Sequence, residues 1–230
     1  MILVRVAPAK NIKNAMENNF ITDKFNPSIL SKKEGKEERV VCHDLFSLTK
    51  QEKIDLKRRI VESQGVVRVV VHPYFEQQTT LKRPGTRVSI VEKGFERMLK
   101  IQSKTPIILF ESSETLPKTK STISPILREH GNQIYIVPTL FASPIPFIMM
   151  GSSDTEDKWR YLIDYMKGFG VRKIIIGGMY LFLRYSEHSD EEYLLGCVGI
   201  ATSELKRDFD IQMSAMVHPK SRGDMNKPDL

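Results

Sequence analysis

From residue 66 onward the chain repeats one pattern, a short apolar run halted by proline, glycine or polar residues. The runs cover residues 66–71, 106–110, 133–137, 173–176 and 210–217, and most are rich in Val and Ile. Runs of this length with little polar alternation read as strands buried on both faces of a parallel sheet. Helical periods fill the gaps between them. Ile90, Val91, Gly94, Phe95, Met98 and Leu99 share one face, as do Trp159, Leu162, Ile163 and Met166. Thr49-Lys50-Gln51-Glu52, Ser153-Asp154-Thr155-Glu156 and Ser189-Asp190-Glu191-Glu192 have the form of capping boxes. The first predicts a helix to about Ser63 closed by Gly65, and the third a helix running to about Arg207. Ser124-Pro125 predicts the start of a short helix.

Strand–helix–strand units in this order require right-handed crossovers. The expected fold is a three-layer α/β/α, Rossmann-like domain over 65–218 with a five-stranded, mainly parallel sheet. Residues 1–64 are expected to form a basic N-terminal extension with one helix, and residues 219–230 a polar tail. Ligands of such sheets bind beyond the C-terminal strand ends. That directs attention to His72, Glu76, Glu111, Thr139, Gly177, Gly178 and His218.

The formal charge of +7 raises the question of nucleic acid, and its distribution argues against it. Residues 1–64 hold 13 Lys/Arg against 9 Asp/Glu, while residues 65–218 hold 19 against 17. The core is therefore close to neutral, and no zinc-finger, RNP or helix-turn-helix pattern appears. No apolar run approaches the roughly 18 residues of a membrane span. With Cys42 and Cys197 far apart, free thiols in a reducing, cytoplasmic setting are expected.

Cys197 has the small neighbours Gly196 and Gly199, which allow a backbone or ligand close by. If a helix starts at Gly196, the thiol sits at its positive end and its pKa falls. If the helix starts at Ser189, Cys197 is a small buried hydrophobe in mid-helix. Gly177-Gly178, then Cys197-Val198-x-x-Ala201-Thr202-x-x-Leu205, then Phe209-x-Ile211 resembles the closing segment of the isochorismatase-like cysteine hydrolases. The resemblance implies a Cys197 nucleophile and a catalytic base at the end of the first core strand. That family carries aspartate where this chain has His72, and lysine near Pro138-Thr139. His72 is then the candidate base, since neutral imidazole can accept a thiol proton, and Glu111 or His218 an orienting group.

His72, Glu76, Glu111, Glu114 and His218 also combine imidazole and carboxylate at strand ends, but no close ligand spacing joins them. No metal or other cofactor is expected. Gly177-Gly178 alone is read as a tight strand exit rather than a phosphate loop. The expectation is thus a diverged hydrolase or pseudo-hydrolase acting on a small molecule. Its rivals are a non-catalytic small-ligand or nucleotide-binding domain, and an oligomerising module that uses the apolar stretches 138–150 and 180–183.

Overall fold

The computed structural model describes residues 40–74, 88–140, 143–147, 154–184 and 193–217. Among them the chain runs β1 (Cys42–Asp44), a 3-10 turn (Leu45–Ser47), α1 (Lys50–Glu62), β2 (Val66–Val71), α2 (Val88–Lys100) and β3 (Ile107–Ser112). It continues through α3 (Leu116–Glu129), β4 (Ile134–Thr139), α4 (Thr155–Gly168), β5 (Lys173–Gly178), the hairpin β6 (Phe182–Arg184) and β7 (Tyr193–Leu195), α5 (Cys197–Leu205) and β8 (Asp210–Val217). The main sheet is wholly parallel, in the order β1-β4-β3-β2-β5-β8.

That sheet has six strands where five are predicted. The sixth, β1, pairs with β4 from Cys42↔Ile134 to Asp44↔Ile136. At three residues, Cys-His-Asp, it is too short and too polar to show a period of two. With it, α1 joins the packing of the sheet, since Leu56 and Ile60 lie in the same core cluster as Val67, Val69 and Val71. Arg39–Leu230 clusters as one unit. Residues 1–39 and 218–230 lie outside the described residues, and with them the tail and the first part of the expected extension, whose residues 40–64 hold β1 and α1.

Alternation along the strands sends side chains to two cores. Val67, Val69, Val71, Phe110 and Val137 face α1, α4 and α5. Val70, Leu109 and Ile136 face α2 and α3, where Phe95, Leu99, Ile123 and Leu127 are fully buried. Helices thus cover both faces, as a parallel sheet requires. Among the described residues no helix is long and apolar enough to cross a membrane.

The first capping box holds: Thr49 accepts from the Glu52 amide, and Glu52 accepts from the Thr49 amide at 2.7 Å. Such a cap contributes about 1 kcal/mol. Gly65, at φ 80°, closes the helix by donating to Ile60 O. Elsewhere local signals mislead. The N-cap of α4 is Asp154, which accepts from Glu156 N. Helix α3 begins at Leu116-Pro117, so Ser124-Pro125 lies inside it. Pro138 does not end β4 but sits within it. Beyond Ile136, where β1 stops, the chain folds back on β4: Phe147 N donates to Pro138 O at 2.7 Å and Thr139 bridges Pro146, so Pro138 forfeits only the bond its missing N–H would make.

Leu56 is 1% exposed and Val61 68% exposed on the same helix. Leu56→Ala is expected to cost about 2–5 kcal/mol and Val61→Ala under about 0.5 kcal/mol in urea denaturation. Equal small effects would show that α1 does not pack on the sheet.

Candidate functional site

The strand order reverses beside β2: β3 and β4 follow on one side of it, β5 and β8 on the other. The C-terminal ends of β2 and β5 therefore form the switch point of the sheet, the position where open α/β sheets bind ligands. Backbone irregularity gathers there. His72 has φ 47°, Gly178 φ 132° and Tyr180 φ 58°. Non-glycine residues in the left-handed region cost of order 1 kcal/mol or more and persist where surroundings over-determine them.

Contacts of the backbone supply that determination. The Met179 amide donates to Val71 O at 2.9 Å, and a Cβ on Gly178 would lie 2.2 Å from the same oxygen. Gly178 is therefore required by the approach of β5 to β2. Gly177 is required less strictly, with a Cβ meeting Ser214 Cβ of β8 at 3.2 Å. The glycine pair serves sheet packing.

His72 is fully buried. Its amide donates to Phe110 O, and its Nε2 lies 2.9 Å from Thr139 Oγ1 at the end of β4. Burial pulls the imidazole pKa down from 6.5 to about 4, so the ring is neutral at pH 7. Glu111, 1% exposed at the end of β3, accepts from Ser112 N at 3.0 Å, Thr115 Oγ1 at 2.7 Å and Thr119 Oγ1 at 3.0 Å. Burial raises its pKa, opposed by those three donors. Its partners on α3 make Glu111 an anchor for the start of that helix. Tyr74 lies nearby, its hydroxyl 3.4 Å from Glu96 Oε1. Burial, then the charges of Glu96, Glu92 and Glu111, raise the pKa of the phenol.

Helix α5 starts at Cys197, after Gly196, and not at the Ser189 box. The intervening chain is spent on β7, which pairs Leu195 with Phe182. Cys197 thus occupies the first helical position. Here the thiol expectation reverses: burial raises its pKa to about 11, a hydrogen bond from its own backbone opposing the rise. The first turn is also partly satisfied by protein, since Val198 N donates to Tyr180 O at 3.0 Å. A Cβ on Gly196 would lie 2.4 Å from that same carbonyl oxygen. Neither Cys42 nor Cys197 is in a disulfide.

The contacts of the candidates run to different partners. His72 and Thr139 meet across 67 residues of sequence, and Glu111 turns to α3. Cys197 packs in the core with Trp159, Val198 and Ala201. Glu76 and His218 lie outside the described residues, as do 141–142 and 148–150 of the stretch 138–150 and the box at Ser189. Glu114 donates its amide to Ser112 Oγ at 3.4 Å. Among the described residues no three His, Cys, Asp or Glu side chains gather as metal ligands.

One pairing had no clear signal in sequence. His43 on β1 places Nδ1 2.7 Å from Glu52 Oε1, inside the capping box, and stacks on Tyr135 at 5.7 Å. Comparison with known protein families, curated proteins and solved structures gives no match.

The shifted imidazole makes stability depend on pH. Between 6.5 and 4 the unfolded chain binds a proton that folded His72 refuses, so stability falls as pH falls through that window. Full expression of the shift is worth about 3 kcal/mol, present above pH 6.5 and gone near pH 4. Urea denaturation of the native chain and of His72→Asn, which tolerates positive φ, should show that difference. Parallel pH curves for the two would refute it.

Proposed function

We propose that the chain is a small-ligand-binding α/β domain of the pseudo-hydrolase kind, working at the C-terminal rim of its parallel sheet. The observation that carries this reading is the burial of Cys197 in the core beside Trp159, Val198 and Ala201. A thiol with a pKa of about 11 is almost wholly protonated at pH 7, and the thiolate is the nucleophile. His72, the candidate base, has its Nε2 committed to Thr139.

What favours binding at this rim is its construction. Neutral imidazole paired with a hydroxyl, and a carboxyl held by three donors, stand at neighbouring strand exits, beside backbone held in sparsely populated conformations. Polar groups of this sort fix the orientation of a small ligand against apolar walls. The neutral ring favours an uncharged polar ligand group over a carboxylate. Glu76, Gly177, Gly178 and His218 belong to the same proposal by their place at strand ends.

A second reading, the isochorismatase-like hydrolase, is favoured by one specific observation: Cys197 stands at the first position of α5, where the resemblance puts a nucleophile. Under that reading a ligand must arm the thiol by supplying or repositioning a base.

Iodoacetamide labelling of the Cys42→Ser variant separates the two. The binding reading expects Cys197 to react at pH 7.5 about a hundredfold more slowly than free cysteine, from the thiolate fractions alone. Rapid labelling with a midpoint below pH 8 would favour the hydrolase. A thermal-shift screen of small polar compounds tests the rim itself. Hits that keep their full shift in Thr139→Val would count against it.

A further inference from the structure

A different part of the molecule carries an inference independent of the rim. Lys50, Lys53, Ile54, Lys57 and Val61 recur on α1 at intervals of three and four, so they form one outward stripe. It flanks the buried face of Leu56 and Ile60. Two of its members are large apolar side chains left in water, Ile54 at 51% and Val61 at 68% exposed. Beside the stripe is an open groove of about 380 Å3, lined by Lys50, Lys53, Ile54, Lys57, Gly168 and Phe169. Phe169 is braced by an edge contact with Tyr165 at 5.1 Å.

The lysines are not explained by the fold. Lys50 and Lys53 lie in the first turns of α1, where positive charge opposes the helix dipole. Among the described residues none of the three lysines has an ion-pair partner, while acids around them are taken. Asp55 holds Arg58, Asp208 holds Lys167 at 2.7 Å, and Glu52 serves the cap and His43. The result is a patch of uncompensated cations interleaved with exposed apolar side chains.

From this charge complementarity we infer that the groove docks an acidic segment of a partner protein, anchored by an apolar side chain. An open trough walled by solvated lysines cannot enclose most of a small molecule's surface, as small-ligand sites do. The stripe from Lys50 to Val61 rises about 16 Å along the helix, the length of roughly five extended residues. Carboxylates of the segment meet Lys50, Lys53 and Lys57, and its apolar side chain rests on Ile54 and Phe169. Nucleic acid is the less suitable anion, because Ile54 and Val61 interrupt a phosphate track.

A displayed library of twelve-residue peptides, selected on the native chain, tests this inference. Enriched peptides are expected to combine two or more Asp or Glu with a bulky apolar residue. Their Kd should rise at least tenfold in K53E/K57E and in Ile54→Asp, and severalfold between 50 and 500 mM salt. The double reversal changes only exposed positions of α1, so the fold is retained, which melting curves check. No enrichment, enrichment without acids, or equal binding to K53E/K57E overturns the inference. So does tighter binding of a single-stranded oligonucleotide than of any selected peptide.

Discussion

The approach of β5 to β2 at their C-terminal ends is the constraint from which the rest of the rim follows. Val71 O receives the Met179 amide, and no side chain fits on Gly178 against it. Having turned at Gly178, the chain passes through Tyr180 in the left-handed region. Its carbonyl then meets Val198 N and crowds Gly196, which fixes where α5 begins. On the other side of the same junction His72 leaves β2 with positive φ and reaches over to Thr139. One backbone contact thus sets two strained residues, two glycines and the first residue of a helix. Substituting Gly178 would not simply loosen a turn, because the clash is with main-chain atoms that cannot rotate away.

How much of this was legible in the sequence depends on the range of the interaction concerned. The five long strands follow from apolar runs, and α1 from its capping box, because both signals are local. The edge strand β1 has only a short apolar lead, Val40-Val41-Cys42, and His43 and Asp44 gain their strand conformation from pairing with β4. Ser189-Asp190-Glu191-Glu192 looks like a helix start, yet the chain next enters β7. Pairing of Tyr193–Leu195 with Phe182–Arg184 outweighs a cap worth about 1 kcal/mol. Pro138 reads as a stop, and is tolerated because its carbonyl still accepts from Phe147 N and only its own donor is missing. In each case tertiary context overrides a local preference of modest size.

Site residues show the same division more sharply. Strand ends name His72, Glu111 and Thr139 as candidates, but their partners are set by long-range geometry. Nothing in sequence says that His72 meets Thr139 or that Glu111 is held by Thr115 and Thr119. Cys197 is the clearest instance. Its neighbours suggest a helix start, and the helix does start there. A helix terminus favours an adjacent anion by about 0.3–1 kcal/mol when exposed, up to about 2 kcal/mol when partly buried. A rise of the thiol pKa from 9.0 to about 11 corresponds to about 3 kcal/mol in the opposite sense. Burial therefore wins, and position at a helix end is insufficient to make a nucleophile.

The two ends of this argument meet on α1. Its N-terminal acid, Glu52, complements the dipole, closes the capping box and holds His43 of β1. A helix start so well satisfied can carry lysines at positions where they oppose the dipole, since the loss is a few tenths of a kcal/mol each at an exposed site. Stability comes from the face of Leu56 and Ile60, which packs on the sheet, and leaves the outer stripe free of structural duty. Charges that cost the helix something and gain nothing from neighbouring side chains are best explained by a partner of opposite sign. By the same reasoning the buried rim, where every strained residue is tied to a particular contact, is where a small ligand would be oriented rather than steered.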